Sequence, residues 1–349
     1  MSNSNVQQSN RYRELDIAKG IAILSVVIVH IPSTYSIMPV GITWHLSTFF
    51  FVSGILEYLN KSTFSIKEYI MKKSQTLLKP YIILSIIYIV FNTIISLISG
   101  GKTHIFRNIY LFLSFIGIGT LWFLPTMFGA LIVFYFILKK FRTVGIIVLQ
   151  FVSVGLIFFS QIMCNKGYFG NLGFEIEDFA LNQIVWLLQL IVVSGYISFG
   201  YFIGSLLKRL DSISNKNIVY LVLSVVLFTV NYAFYQYYIK NNLLYLKIEN
   251  GLSFIICTVC GGLAVICLSK VLKNISFLKL FEYCGKNSII IMTTHLEYRI
   301  IDLSIFLVTI IKWSALCNLL VFVITLIIEL LICLFVNKFS VLRRIFYKK

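Results

Sequence analysis

The sequence has few charged residues and few prolines. Asp, Glu, Lys and Arg make up only 12% of its 349 residues, and four residues are proline. A soluble domain carries roughly 25% charged residues, so a soluble enzyme is excluded. Hydrophobic residues make up 59% instead, and apolar runs of about 20 residues, the length that crosses a bilayer, recur along the chain. The composition indicates a helical protein that crosses a membrane several times.

The chain also lacks internal divisions. It contains no Gly/Ser-rich linker, no repeat of fixed period and no small-residue cleavage site after its polar start. We therefore expect a cytoplasmic N-terminal tail at residues 1–16, one membrane domain at residues 17–337 and a basic cytoplasmic tail at residues 338–349. The seven cysteines lie in or beside apolar segments, where Cys257 and Cys260 suit helix packing better than redox or metal chemistry. No metal site is expected.

Hydropathy predicts an all-α bundle of about ten transmembrane helices. The predicted spans are residues 17–37, 42–60, 78–98, 119–138, 144–163, 183–207, 218–238, 251–272, 284–311 and 315–337. With the N-terminus inside, 23 of the 30 Lys and Arg residues fall on the cytoplasmic side, which favours cytoplasmic positions for both termini. The excess of basic residues in the cytoplasmic segments then explains the net charge of +17. We expect a multi-pass protein in contact with membrane lipids and no nucleic acid.

Two polar side chains share the first predicted span. Lys19 and His30 are about three helical turns apart, so both face one side at a separation of roughly 16 Å. Polar groups at this depth are costly and need a partner or a function. Lys19 could bind an acyl donor such as coenzyme A, whose pantetheine arm has about this reach. His30 could be the general base on an acceptor hydroxyl, or could carry the acyl group itself. The alternative is a Lys19 that reaches back to the surface and a His30 hydrogen-bonded inside the bundle.

Five sequence blocks, in this order, resemble the acyltransferase 3 family of bacterial membrane O-acyltransferases. They are DIAKGIAILSVVIVH, WHLSTFFFVSG, KKSQTLLKPY, LWFLPTMFG and GKNSIIIMTTH. The resemblance extends over roughly residues 13–300 and is closest to the fucose-4-O-acetylase-like branch. The family usually has an Arg, ten intervening residues and then the histidine of the first block, and Lys19 stands at the Arg position in this chain. The ammonium group of Lys is a single point charge, whereas the planar guanidinium group of Arg can bind two oxygens of a phosphate at once.

The resemblance implies a membrane O-acyltransferase in the bacterial cytoplasmic membrane. The donor would be cytoplasmic acyl-CoA, with acetyl-CoA as the expected substrate and no bound cofactor. The acceptor would be a hydroxyl of a cell-surface polysaccharide, such as an exopolysaccharide, or of its lipid-linked sugar precursor. A rival hypothesis is an exporter or flippase of polysaccharide, against which stands the lack of inverted repeats. A third is an acyl sensor without turnover.

The second block carries a further candidate catalytic residue. His45 lies near the outer start of the second predicted span, at a depth comparable with that of His30. The two histidines could share a site, one as the base and the other as a polarising group or sugar contact. The alternative is an interfacial histidine beside Trp44 in an aromatic belt. We expect Phe49, Phe50 and Phe51 to pack.

The third and fourth sequence blocks supply three cytoplasmic lysines and an outer tryptophan as further candidates for substrate binding. Lys72, Lys73 and Lys79 are predicted to bind the phosphates of acyl-CoA together with Lys19. Ordinary positive-inside charge explains Lys72 and Lys73 at least equally well, whereas Lys79 is better placed because it precedes Pro80 at the membrane entry. Trp122, at the outer start of the fourth span, is explained by an aromatic belt or by stacking on the acceptor sugar.

The ninth predicted span, residues 284–311, is unusually long. A straight helix of this length would measure about 42 Å, against roughly 30 Å of hydrocarbon, so the segment must be tilted, broken or lining a wet cavity. His295, Arg299 and Asp302 follow helical spacing on one stripe, and Glu297 lies off it. We predict that these four residues contact the acceptor glycan. The alternative is an ion pair between Arg299 and Asp302.

Overall fold

The protein is helical throughout the part of the chain that the structure, a computed structural model, describes. The described residues are 11–32, 43–60, 63–168, 178–238, 241–311 and 317–347. One isolated antiparallel bridge, between Asn242 and Lys247, interrupts the helical pattern. The predicted all-α class is confirmed. The predicted ends of the first two spans, residues 33–37 and 42, lie outside the described residues.

Fourteen α-helices are found in these ranges. They are α1 Arg13–His30, α2 His45–Asn60, α3 Ile66–Lys73, α4 Lys79–Ile98, α5 Ile105–Leu113, α6 Phe123–Asn165, α7 Phe179–Leu210, α8 Lys216–Tyr238, α9 Gly251–Leu272, α10 Lys279–Lys286, α11 Ser288–Thr294, α12 Ile300–Ile311, α13 Cys317–Lys338 and α14 Ser340–Phe346. A π-helical turn, Ser74–Leu78, joins α3 to α4. A 3-10 turn, Gly119–Trp122, leads into α6.

Six stretches of the described chain are long and apolar enough to cross a membrane. They are Ile66–Ile98, Gly119–Asn165, Phe179–Leu210, Lys216–Tyr238, Gly251–Leu272 and Cys317–Lys338. The protein is therefore a multi-pass membrane protein. The count of ten spans and the cytoplasmic position of both termini stay predictions.

The longest helix, α6, is broken in its middle. Arg142 has φ 53° and ψ −143°, which no helical residue adopts. A Cβ on Gly145 would lie 2.8 Å from Ile137 Cγ2. Residues eight positions apart in a straight helix are about 12 Å apart, so the two arms of α6 fold back on each other. The break falls between the predicted spans 119–138 and 144–163.

The centre of the bundle is α1, which lies against α2, α9, α10 and α11. The approach of α1 to α10 depends on two glycines. A Cβ on Gly20 would lie 1.9 Å from Phe281 O, and one on Gly285 would lie 1.8 Å from Asp16 O. Small residues let membrane helices approach this closely. This contact brings α11, which follows α10 in the chain, beside the C-terminal half of α1.

The ninth predicted span is broken, which decides among the three explanations of its length. It forms α10, α11 and α12, and Arg299 in the last break has φ 57°. The predicted stripe of His295, Arg299 and Asp302 is wrong. His295 is fully buried, whereas Arg299 and Asp302 are exposed. A helical stripe requires continuous helical backbone, and the positive φ of Arg299 ends that continuity.

Candidate active site

A cavity of about 230 Å³ lies where several helix ends meet. His30 is the last residue of α1, His45 is the first residue of α2, and Tyr238 is the last residue of α8. The polar and aromatic residues that line the cavity are His30, His45, Thr120, Trp122, Phe123, Tyr238, Asn241 and Asn242. The structure therefore brings three of the sequence-predicted residues, His30, His45 and Trp122, to one space.

The imidazole of His30 contacts a second imidazole, that of His295. His30 Nδ1 lies 2.7 Å from Val26 O and 3.4 Å from His295 Nε2, and the ring centroids are 5.0 Å apart. His295 Nδ1 lies 2.7 Å from Ile291 O. The sequence blocks suggest a pairing of His30 with His45 instead. The His30–His295 contact is not evident from sequence, because it depends on the packing of α11 against α1.

The backbone carbonyls fix the tautomers of both rings. A carbonyl oxygen only accepts hydrogen bonds, so Nδ1 of His30 and Nδ1 of His295 each carry a proton. Nε2 of His295 is then an acceptor that faces the Nδ1–H of His30. In its neutral form, His30 consequently has an unprotonated Nε2 on a ring that lines the cavity. This is the arrangement that a general base needs.

The segment before α2 is held by a buried tryptophan. Trp44 is only 6% exposed, and its Nε1–H donates to Ser25 Oγ of α1 at 3.0 Å. An aromatic belt residue would face lipid headgroups, so the belt explanation of this segment is wrong. The Trp44–Ser25 bond joins the start of α2 to α1 and thereby places His45 at the cavity. The three phenylalanines after it, Phe49–Phe51, are buried in the core as expected.

Glu297 lies behind the cavity wall. Its carboxylate accepts hydrogen bonds from the backbone N–H and from the Oγ1 of Thr120, the latter at 2.9 Å. A Cβ on Gly119, where φ is 48°, would lie 2.1 Å from Glu297 Oε1. Glycine is therefore required there, both for the backbone and for the space. Thr120 lines the cavity and Glu297 does not, so Glu297 positions the turn that carries Trp122.

A loop between α8 and α9 forms another wall that sequence reasoning missed. Asn241 Oδ1 accepts from the backbone N–H of Glu249 at 2.8 Å and of Asn250 at 3.1 Å. Gln189 Nε2 of α7 donates to Leu243 O at 3.2 Å. These bonds order the loop, and Asn241–Leu244 line the cavity. The only signal in the sequence was an Asn-rich segment in a predicted outer loop.

Lys19 is held by an ion pair at the other end of α1. Its Nζ lies 2.8 Å from Asp16 Oδ1, and Arg11 Nε lies 2.8 Å from Asp16 Oδ2. Burial by itself would raise the pKa of the Asp16 carboxyl, but the two cations outweigh burial and lower that pKa. Lys19 is 24% exposed. Its predicted contact with an acyl donor would have to compete with Asp16.

The other three predicted phosphate ligands also have protein contacts, each with a different segment. The contacts are Lys72 Nζ over the Phe64 ring at 4.5 Å, Lys73 Nζ to Glu57 Oε1 at 2.8 Å and Lys79 Nζ to Arg344 O at 2.8 Å. These contacts anchor α3 and α4 to α2 and α14. Binding of acyl-CoA by these lysines stays a prediction.

A second cavity of about 230 Å³ lies at the N-terminal end of α1. Its charged lining residues are Glu14, Lys208, Asp211 and Lys270, and Lys270 Nζ lies 2.7 Å from Asp211 Oδ2 and 3.2 Å from Glu14 Oε1. Leu15 of α1 also lines this cavity. From Leu15 to Val26, which lines the His30 cavity, the rise along α1 is about 16 Å. The helix thus runs from a cavity lined by two lysines and two carboxylates to a cavity lined by two histidines.

Comparison with known proteins gives one match. A family model described as an acyltransferase domain, that of the acyltransferase 3 family, matches residues 12–338. No curated protein and no solved structure matches the chain. The matched range includes both cavities and every helix that lines them. It does not separate the branches of the family, so the fucose-4-O-acetylase-like assignment stays a prediction.

Proposed function

Because the chain belongs to the acyltransferase 3 family, we propose that it is a membrane O-acetyltransferase. The donor is acetyl-CoA from the cytoplasm. The acceptor is a hydroxyl of a cell-surface polysaccharide or of its lipid-linked sugar precursor. The observation that carries this proposal is the His30–His295 pair at a cavity inside a membrane protein. The family match gives no support to the exporter alternative.

The reaction needs one base and one acid, and His30 supplies both. His30 Nε2 removes the proton from the acceptor hydroxyl, and the resulting oxygen attacks the thioester carbonyl carbon. The new C–O ester bond forms as the C–S bond breaks. The thiolate of CoA then takes the proton from His30 Nε2–H, which returns the ring to its starting tautomer. Histidine suits this cycle because its unperturbed pKa lies near 7.

The neighbours of His30 support this role. His295 Nε2 and Val26 O both face the Nδ1–H of His30, so they hold the ring while its Nε2 exchanges protons. His45 lines the same cavity and is placed to polarise the carbonyl or contact the sugar. Trp122 offers an aromatic face to the acceptor. In the alternative sequence of steps, His30 Nε2 first accepts the acetyl group as the C–S bond breaks and the CoA thiolate leaves. The acceptor hydroxyl then takes the acetyl group from Nε2, and its proton passes to the thiolate.

The second cavity suits the donor. Acyl-CoA carries anionic phosphates at one end and its thioester at the other. Lys208 lines a cavity at the end of α1 away from His30, where Lys270 is already paired with Glu14 and Asp211, so we assign the phosphates to Lys208. The separation of about 16 Å along α1 matches the reach that the sequence analysis assigned to pantetheine. Lys19, Lys72, Lys73 and Lys79 are further candidates for the phosphates.

The test is hydrolysis of acetyl-CoA by the purified protein in lipid nanodiscs. Release of free CoA is followed with a thiol reagent for the wild type, for His30→Ala and for His104→Ala. His104 is an exposed histidine at the start of α5, so it controls for loss of an imidazole. We expect the His30 variant to lose turnover and the His104 variant to keep it. Equal turnover in all three proteins would overturn the proposal.

The acceptor is identified separately. Mass spectrometry of surface glycan from cells that lack the protein should show the loss of one acetyl mass per modified sugar. Loss of a different acyl mass would leave the reaction class intact and correct the donor. No change in the glycan would contradict a polysaccharide acceptor.

A further inference from the structure

One hydroxyl in the His30 cavity has no part in the proposed reaction. Tyr238, the last residue of α8, lines this cavity and is only 6% exposed. In the described part of the chain, no group forms a hydrogen bond with its hydroxyl. The hydroxyl oxygen is nevertheless open to a water-sized molecule. This buried phenol O–H is therefore available to a molecule bound in the cavity.

The ring of Tyr238 is held in place by its neighbours. It stacks on Phe254 of α9, with the ring centroids 5.7 Å apart and the planes only 3° from parallel. Ser253 Oγ lies 2.9 Å from Tyr237 O, which ties the end of α8 to the start of α9. Asn250 Oδ1 caps α9 by accepting a hydrogen bond from Ser253 N at 2.9 Å. A donor fixed in this way needs no reorganisation when charge develops beside it.

The proposed reaction puts negative charge on one oxygen of the donor. When a nucleophile attacks the thioester carbonyl carbon, an electron pair of the C=O bond moves to the oxygen and gives a tetrahedral oxyanion. This happens whether the acceptor oxygen attacks directly or His30 Nε2 takes the acetyl group first. A hydrogen-bond donor aimed at that oxygen, in a site that excludes water, stabilises the transition state. His30 is not that donor, because its Nε2 is the base or nucleophile and its Nδ1–H faces Val26 O.

Three polar side chains of the cavity are poorly suited to the task. The hydroxyl of Thr120 donates to Glu297. Asn241 is bonded within its loop at both its amide oxygen and its amide nitrogen. Asn242 is exposed, where bonds to water compete with bonds to a ligand. None of the three combines a buried position with a donor that is free to turn to the oxyanion.

The remaining lining donors belong to Tyr238, Trp122 and His45. A phenol O–H is far more acidic than an indole N–H, so Tyr238 is a stronger donor to an anion than Trp122. An oxyanion accepts more than one hydrogen bond. Tyr238 can therefore act on the same oxygen as His45, or leave His45 to the acceptor sugar.

We propose that Tyr238 is a catalytic residue, whose hydroxyl donates a hydrogen bond to the thioester carbonyl oxygen as that oxygen becomes negative. The inference rests on the proposed function and adds a residue to its reaction. No proton leaves Tyr238. The oxyanion re-forms the C=O bond as the C–S bond breaks, and the CoA thiolate is protonated as in the proposed reaction. Because the hydrogen bond strengthens only in the transition state, the hydroxyl raises kcat without tightening the binding of acetyl-CoA.

Removal of one oxygen atom tests the proposal. Tyr238→Phe keeps the ring that stacks on Phe254. Tyr196→Phe is the matched control, because Tyr196 is also 6% exposed and also packs on Phe254 but does not line the His30 cavity. In hydrolysis of acetyl-CoA by the full-length protein in nanodiscs, we expect kcat of Tyr238→Phe to fall about 100-fold, with KM and Tm at the wild-type values. Tyr196→Phe should keep kcat.

A binding measurement tests the same contact without turnover. The probe is an analogue of acetyl-CoA in which a trifluoromethyl ketone replaces the thioester, since this ketone readily forms a tetrahedral adduct that resembles the intermediate. Free CoA, which has no carbonyl at the reacting position, is the reference ligand. We expect Tyr238→Phe to bind the analogue at least tenfold more weakly than the wild type and to bind CoA equally well.

Three results would overturn the assignment of Tyr238. One is wild-type kcat in Tyr238→Phe. Another is a fall in kcat without weaker binding of the analogue, which would place the hydroxyl away from the carbonyl oxygen. The third is a fall in kcat accompanied by an equal loss in Tyr196→Phe, which would make the effect one of packing around Phe254.

Failure of the two proposals is distinguishable. If His30→Ala still hydrolyses acetyl-CoA at the wild-type rate, the proposed base is wrong, and the binding comparison still decides whether Tyr238 contacts the carbonyl oxygen. If His30→Ala is inactive but Tyr238→Phe matches the wild type in both assays, the reaction stands and another group binds the oxyanion.

Discussion

The contact between His30 and His295 allows a quantitative test of which ring does the chemistry. His295→Leu removes the acceptor nitrogen that lies 3.4 Å from His30 Nδ1. It leaves Val26 O in place, 2.7 Å from the same nitrogen. The tautomer of His30 is therefore still fixed in the variant, and only part of the support for the ring is lost.

The expected loss follows from the geometry. A neutral hydrogen bond contributes about 0.5–1.5 kcal/mol, and the distance of 3.4 Å is beyond the usual range, which places this bond at the weak end. At about 1.4 kcal/mol per factor of ten, a bond at the weak end gives a loss of about two- to threefold in kcat for His295→Leu. The KM for acetyl-CoA should not change, because His295 does not line either cavity described above.

The assay is steady-state release of CoA from acetyl-CoA by purified protein in nanodiscs. His295→Gln is the matched variant, because the amide oxygen of glutamine reaches about as far from the backbone as Nε2 of histidine and can accept the same hydrogen bond. We expect kcat of His295→Gln to lie closer to the wild type than that of His295→Leu. Thermal unfolding of each variant checks that the fold is intact.

One outcome would refute this assignment of roles. If folded His295→Leu is as inactive as His30→Ala, then His295 itself handles the proton or the acyl group, and the base cannot be His30 alone. A change confined to KM would instead mean that His295 contacts the donor, in conflict with its complete burial behind His30.

Three further predictions concern the scaffold. Glu297→Leu should lower both Tm and turnover, because the buried N–H of Thr120 loses its hydrogen-bond acceptor, which costs about 1–3 kcal/mol of folding free energy. Glu297→Gln keeps an acceptor oxygen and should stay near the wild type in both assays. Asp16→Asn should lower Tm at pH 7, and the Tm values of the variant and the wild type should converge as the pH falls below about 4. The pKa of Asp16 is lowered in the folded protein, so its carboxylate stabilises the fold above the ordinary pKa of Asp, and this stabilisation is lost in acid. A difference in Tm that stays constant with pH would contradict this. Gly54→Val should prevent recovery of folded protein, because its Cβ would lie 2.0 Å from Ile197 O; normal yield and Tm would show that α2 and α7 separate easily.

The class of the fold follows from sequence because the bilayer imposes it. Apolar runs of about 20 residues must form helices in lipid, where every backbone group needs an internal partner. Composition cannot locate the breaks within such runs. Arg142 and Arg299 reverse or interrupt helices by adopting positive φ, and neither is the glycine that would announce such a turn. The length of the ninth span therefore indicated a tilt, a break or a wet cavity, but the sequence did not show where a break would fall.

The candidate site was predictable only where its residues are near in sequence or belong to a recognisable block. His30, His45 and Trp122 come from three such blocks and line one cavity. The partner of His30 was not predictable, because it depends on α10 lying against α1 at Gly20 and Gly285. Closeness in sequence and shared charge grouped the lysines into one phosphate site, and the structure gives each of them a contact with a different segment, so their binding of acyl-CoA stays a prediction.

The cavity that holds His30 lies where several helices end. α1 ends at His30, α8 ends at Tyr238, α2 begins at His45, and α11 ends one residue before His295. Each helix end leaves backbone groups without intrahelical partners, and at membrane depth such ends are tolerated only where protein or water covers them. Several ends that meet at one place therefore require a polar space, and the same space admits histidines that lipid would exclude.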